Sequence, residues 1–107
     1  MRHVEEEFQL CPKFEAAFQL LGKRWTGLII HVLLSGPKRF KDIAAIIPNL
    51  SDKMIAERLK ELEAEGVVTR RVYHEVPVRI EYKLTEKGRA LESVMAGFQK
   101  WAEDWMD

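Results

Sequence analysis

Residues Ser51–Leu84 read SDKMIAERLKELEAEGVVTRRVYHEVPVRIEYKL, and the change of period inside this stretch decides the fold. Ile55, Leu59 and Leu62 recur at the spacing of one helix face, which predicts a helix from Ser51 to Glu65. Ser51 stands where an N-cap belongs and Asp52 lies in the first turn, favourably placed against the helix dipole. The capping box is incomplete, because Met54 occupies the position of its Glu. Gly66 suits a left-handed C-terminal stop. From Val67 the period falls to two. Val67–Tyr73 and Val78–Leu84 read as strands joined by His74-Glu75-Val76-Pro77, a β-hairpin with a tip of about four residues. One face is expected to be buried, the other to carry Arg79, Glu81 and Lys83.

Working upstream, Pro48-Asn49-Leu50 makes a tight turn after a short helix expected over about Phe40 to Ile47, with Ile43, Ile46 and Ile47 apolar. Before it, Trp25, Leu28, Ile29, Val32 and Leu33 form an amphipathic helix stopped by Ser35-Gly36-Pro37, with His31 expected to be half-buried on it. Earlier still, Pro12 suits a first helical position, and Phe14, Ala17, Phe18 and Leu21 repeat helically until Gly22. Downstream, Thr85 caps a final helix in which Leu91, Met95, Phe98, Ala102 and Trp105 follow a heptad-like spacing, widened by Val94 and Trp101. The expected fold is mainly α with a small β-hairpin, an α+β winged helix-turn-helix, in a single domain over residues 1–107.

The 107-residue chain is of a size to bury one modest core. Its apolar runs fall short of the roughly 20 residues of a membrane span, and Met-Arg-His-Val-Glu-Glu-Glu does not read as a signal peptide. A cytoplasmic protein without membrane contact is expected. Cys11 is the single cysteine, and with three scattered histidines it gives no metal-ligand spacing, so neither metal nor other cofactor is expected. His3, His31 and His74 assemble no nucleophile, base and orienting acid, and phosphate-binding glycine loops are missing, which argues against an enzyme. The net charge is zero, yet residues 37–83 hold ten Lys/Arg against eight Asp/Glu, a balance of +2, while residues 84–107 hold three against five, a balance of −2. The positive part coincides with the helix-turn-helix and the hairpin.

A helix fits the major groove of B-DNA, and a hairpin beside it reaches the neighbouring backbone or minor groove. With Ile55 inward, about 100° per residue turns Leu59 and Leu62 inward and Lys53, Glu57 and Lys60 outward, with Met54 and Arg58 flanking. Ser51, Lys53, Met54 and Glu57 are therefore candidates for bases or nearby phosphates, and Arg58 and Lys60 for backbone. Lys38, Arg39 and Lys41, and from the hairpin Arg70, Arg71, His74 and Arg79, are candidates for phosphate positioning. On an isolated helix such charges are an ordinary solvated face. The hairpin directly downstream favours double-stranded DNA as the partner, and the cations Lys53, Arg58, Lys60, Arg70, Arg71 and Arg79 argue against a winged-helix docking module, whose surface here would be apolar or acidic.

Cys11-Pro12, Gly22-Lys23-Arg24-Trp25, Arg39-Phe40, Leu50-Ser51, Leu59-Lys60-Glu61-Leu62-Glu63, Gly66-Val67-Val68-Thr69-Arg70, Pro77, Glu81-Tyr82 and Leu84-Thr85-Glu86-Lys87-Gly88 occur in order over residues 11–105. This set resembles the HxlR-type, MarR-like family of bacterial winged helix-turn-helix transcription regulators. Where that family usually has Gly-Lys-Trp, this chain has Gly22-Lys23-Arg24-Trp25. The resemblance implies a recognition helix over about 51–65, a wing over about 67–84, and a homodimer joined by helices over about 12–21 and 86–106. It also implies a repressor role on a palindromic operator. Phe14, Phe18, Leu91, Met95, Phe98, Trp101 and Trp105 are the expected interface, and the aromatic residues would otherwise expose a large apolar surface. The alternative is that they pack on the chain's own first helix. Some relatives sense oxidants or electrophiles through a cysteine matching Cys11, which implies a small-molecule or oxidant inducer. At a helix N-terminus the dipole favours the reactive thiolate, and Glu5, Glu6 and Glu7 oppose it. A free cysteine is otherwise most often a small buried hydrophobe.

Overall fold

The computed structural model describes residues 9–107, so His3 and Glu5 to Glu7 lie outside it. Ile55, Leu59 and Leu62 form the buried side of helix α4 (Asp52–Ala64), as their spacing predicts. Around them close helices α2 (Thr26–Leu33) and α3 (Phe40–Ile46), through Ile29, Ile30, Leu33, Ile43 and Ile47. Strands β1 (Val68–Tyr73) and β2 (Arg79–Leu84) close the core from below with Val68 and Leu84, which face each other in the antiparallel register. Ile46 departs from the expected stripe and stays exposed.

The local signals at α4 are read correctly. Ser51 Oγ accepts from the Met54 amide at 3.2 Å, and Gly66 takes φ 73° after the last turn. The turn between α3 and α4 bends at Asn49, also left-handed at φ 65°. The hairpin tip spans residues 74–78, one more than expected, because β2 begins at Arg79 rather than Val78.

Two features of the fold depart further from expectation. Lys38, just ahead of α3, pairs with β2: its amide donates to the Tyr82 carbonyl at 3.0 Å and the Tyr82 amide donates back at 2.8 Å. The wing is thereby anchored on the edge opposite β1. The predicted C-terminal helix is two pieces, α5 (Glu86–Arg89) and α6 (Glu92–Trp105). Gly88 is buried against the wing base, where a Cβ would collide with the Val67 carbonyl and sit 2.9 Å from Leu84 Cδ2. Thr85 Oγ1 caps α5 by accepting from the Gly88 amide at 3.2 Å, and Lys87 Nζ reaches the Glu65 carbonyl at 2.7 Å. Held this way, α5 ends after one turn, the Leu91 amide donates to the Gly88 carbonyl at 3.1 Å, and α6 begins at Glu92.

Helix α1 (Pro12–Leu21) and α6 bury no residue completely. His31 is exposed on α2 rather than half-buried. Among the described residues no helix is long and apolar enough to cross a membrane.

Candidate nucleic-acid interface

Helix α4 offers an outer side opposite its aliphatic stripe, and Lys53, Glu57 and Lys60 are exposed on it. Ser51 and Asp52 sit at its exposed N-terminal turn, with Met54 half-buried beside them. Free amides at that end and the positive end of the helix dipole suit a phosphate. Arg39 and Lys41, at the start of α3, are exposed as well, and the Arg39 amide donates to Asp42 Oδ2 at 3.0 Å, which fixes that helix start.

On the wing, register sorts the cations by face. Val68, Arg70 and Val72 share one face with Leu84, Tyr82 and Ile80; Thr69, Arg71 and Tyr73 share the other with Lys83, Glu81 and Arg79. Arg70, Arg71 and His74 are exposed, and the Arg71 guanidinium lies 5.0 Å from the centre of the Tyr73 ring.

Three of the candidate DNA contacts have partners within the protein. Arg58 has 14% of its side chain exposed; its Nε donates to the Arg24 carbonyl at 2.9 Å and its Nη1 to Glu61 at 3.1 and 3.2 Å. Lys38 is half-buried, and its Nζ reaches the Gly36 carbonyl at 3.3 Å. Arg79 bridges Glu81 at 2.7 Å and Glu75 at 3.0 Å and lies 3.9 Å over Tyr73. Its hydrogen bond to Glu75 raises its already high pKa further. Arg58 and Arg79, paired with carboxylates, offer little to a phosphate, whereas Lys53, Lys60, Arg39, Lys41, Arg70 and Arg71 are exposed.

Sequence reading missed the contacts made by the turn between α1 and α2. Lys23 Nζ pairs with Glu61 at 3.0 Å, and this hydrogen bond, with the Arg58 charge, holds the Glu61 carboxyl below its ordinary range despite partial burial. Lys23 lies 38 residues from Glu61, and the Arg24 carbonyl 34 residues from Arg58, beyond any local periodicity.

On the other side of the molecule, Phe14, Phe18, Phe98, Trp101 and Trp105 are each more than half exposed, whereas Leu91 and Met95 pack partly against the core. Phe14 meets Phe18 edge-on at 4.9 Å and Phe98 meets Trp101 at 6.3 Å, so the aromatic rings pair within their own helices. Burial on the chain's own first helix, the alternative weighed from sequence, does not occur. Cys11 is exposed at the N-cap of α1, not a buried hydrophobe.

Three helices closed by a two-stranded wing, with a cationic outer helix face, define a winged helix-turn-helix DNA-binding protein. The chain belongs to the HxlR-like helix-turn-helix family, whose model matches residues 20–107. It is 58% identical over 98 residues to the HTH-type transcriptional regulator YodB of Bacillus subtilis (strain 168), covering 92% of this chain and 88% of that one. The reduced form of YodB superposes with a TM-score of 0.82 at 57% identity, over 92% of this chain and 97% of that one. Quinone-bound YodB gives 0.77 at 57% identity, over 89% and 100%. The oxidised form of the redox regulator HypR gives 0.84 at 39% identity, over 91% and 99%. The protein is a DNA-binding transcriptional regulator.

Proposed function

We propose that the chain acts as a homodimeric repressor on a two-fold symmetric operator, inserting the N-terminal half of α4 into the major groove. The observation that carries this reading is the division of α4 into a fully buried aliphatic side and an exposed side bearing Lys53 and Lys60. Lys53, with Ser51, Met54 and Glu57, reads or adjoins base edges; Arg39, Lys41, Lys60, Arg70, Arg71 and His74 hold backbone.

Dimerisation is supported by surface that the single chain leaves uncovered. Phe14 and Phe18 on α1 and Phe98, Trp101 and Trp105 on α6 are each more than half exposed, and aromatic surface of this kind usually marks an interface.

Cys11, exposed at the start of α1, is the proposed sensor. Its thiolate would add to a quinone, or two copies would join as a disulfide while an oxidant such as diamide takes up the two electrons and two protons. The similarity to YodB, solved quinone-bound, and to HypR, a redox regulator solved oxidised, supports this trigger.

Selection from random duplexes followed by a salt titration tests the reading. Lys53→Ala should weaken the selected site by roughly 1–3 kcal/mol if Lys53 meets a base; a phosphate contact instead costs the same on all duplexes and lowers the salt slope by about 1. No effect on either discards this face. Cys11→Ser should abolish release by diamide, and unchanged release removes the thiol from the mechanism.

A further inference from the structure

Helix α4 is held to the core by Ile55, Leu59 and Leu62, a narrow stripe that resists its departure better than its rocking about that stripe. Arg58 lies at the edge of the stripe, and its fork reaches two fixed acceptors at once. One is the Arg24 carbonyl, 2.9 Å from Nε; the other is Glu61, 3.1 Å from Nη1. Glu61 is drawn in turn to Lys23 at 3.0 Å. Both legs end on the same four-residue turn, Gly22 to Trp25.

That turn is itself fixed. The Gly22 amide donates to the Phe18 carbonyl at 2.8 Å and the Thr26 amide to Lys23 at 3.3 Å. Trp25 takes a left-handed φ of 79°, costly for an aromatic residue, and the Arg24 guanidinium covers its ring at 4.6 Å. Strain of this kind persists only where surrounding contacts over-determine the conformation.

Magnitude separates holding from aiming. Partly exposed ion pairs add little to stability, well below the burial of three aliphatic side chains. Guanidinium pairs are nevertheless directional, because the planar fork accepts partners only along fixed vectors. A base contact fails when a side chain is misplaced by about an ångström, whereas a phosphate contact tolerates it.

We propose that Arg58 and Glu61, braced on Lys23 and the Arg24 carbonyl, are positioning residues that set the pitch of α4 and thereby its sequence preference, without touching DNA. The inference rests on α4 being the groove-facing helix. It reassigns a cation that sequence alone places on the backbone.

The test compares wild type with Arg58→Met, Lys23→Met and the near-isosteric Glu61→Gln on the selected operator and on an unrelated duplex across a salt series. Each variant should lose about fivefold in preference for the operator. Binding to the unrelated duplex and the salt slope should stay as in wild type. Because Lys23 and Glu61 form one leg, Lys23→Met combined with Glu61→Gln should do no more than Glu61→Gln alone. General loss of folded protein would lower both affinities together and leave preference unchanged, as would a phosphate contact by Arg58, which also lowers the slope by about 1. Either pattern overturns the proposal, as does a preference equal to wild type. Absence of preference in wild type itself would instead overturn the reading of α4.

Discussion

At the scale of single residues, the decisive question is which polar groups already have a partner. Thr26 Oγ1 is buried at the start of α2 and has no hydrogen-bond partner among the described residues. A buried hydroxyl left this way costs about 1 kcal/mol or more, so the near-isosteric Thr26→Val should raise the urea midpoint; a lower midpoint refutes the account. Glu61 gives a pH signature. Its carboxyl pKa is lowered in the fold from 4.5, first by the Lys23 hydrogen bond. The stabilisation is therefore complete above the unfolded value and disappears as pH falls through the depressed folded value. Wild type should exceed Glu61→Gln in denaturant resistance at neutral pH, and the gap should close on acidification below about 4. A gap that persists in acid would mean that the carboxylate charge is not what stabilises. Sequence showed that Arg58 flanks a buried stripe, and its ion pair with Glu61 is a local i,i+3 contact that helix spacing allows. Its bond to the Arg24 carbonyl, 34 residues away, leaves no mark on the local pattern.

Among the elements, legibility follows the range of the forces involved. Helix α4 was readable because spacing, the Ser51 cap and the Gly66 stop are all local, and the structure reproduces each. The hairpin was readable for the same reason, but its faces divide less cleanly than expected: only Val68 and Leu84 are buried, Arg70 on the same face is exposed, and Arg79 and Glu81 on the other are half-buried. The Lys38–Tyr82 bridge was not, because backbone hydrogen bonds between distant segments leave no mark on side-chain pattern. The division of the last helix into α5 and α6 was half-hidden. Gly88 stood in the sequence as a weak helix former, but its close approach to Val67 requires the wing to be in place. Gly88→Ala should therefore destabilise by about 1–3 kcal/mol, although alanine is the better helix former. Calorimetry decides between the two effects, since a higher melting temperature would show that helix propensity wins.

The molecule as a whole has two sides with opposite chemistry: charged along α4 and the wing, aromatic along α1 and α6. The sequence disclosed the second side as a stripe too apolar for solvent. In the single chain Phe14, Phe18, Phe98, Trp101 and Trp105 are each more than half exposed, as that reading expects. Replacing Phe98 and Trp101 together by Glu should yield a monomer by light scattering with sharply weakened operator binding; an intact dimer would place the interface elsewhere.

If the proposed dimer is what covers this aromatic surface, folding is bimolecular. The melting temperature should rise with protein concentration, by mass action, over a roughly 100-fold dilution series. Dilution then unfolds as well as dissociates, so the abundance of the regulator, and not its sequence alone, sets how much of it is in working form.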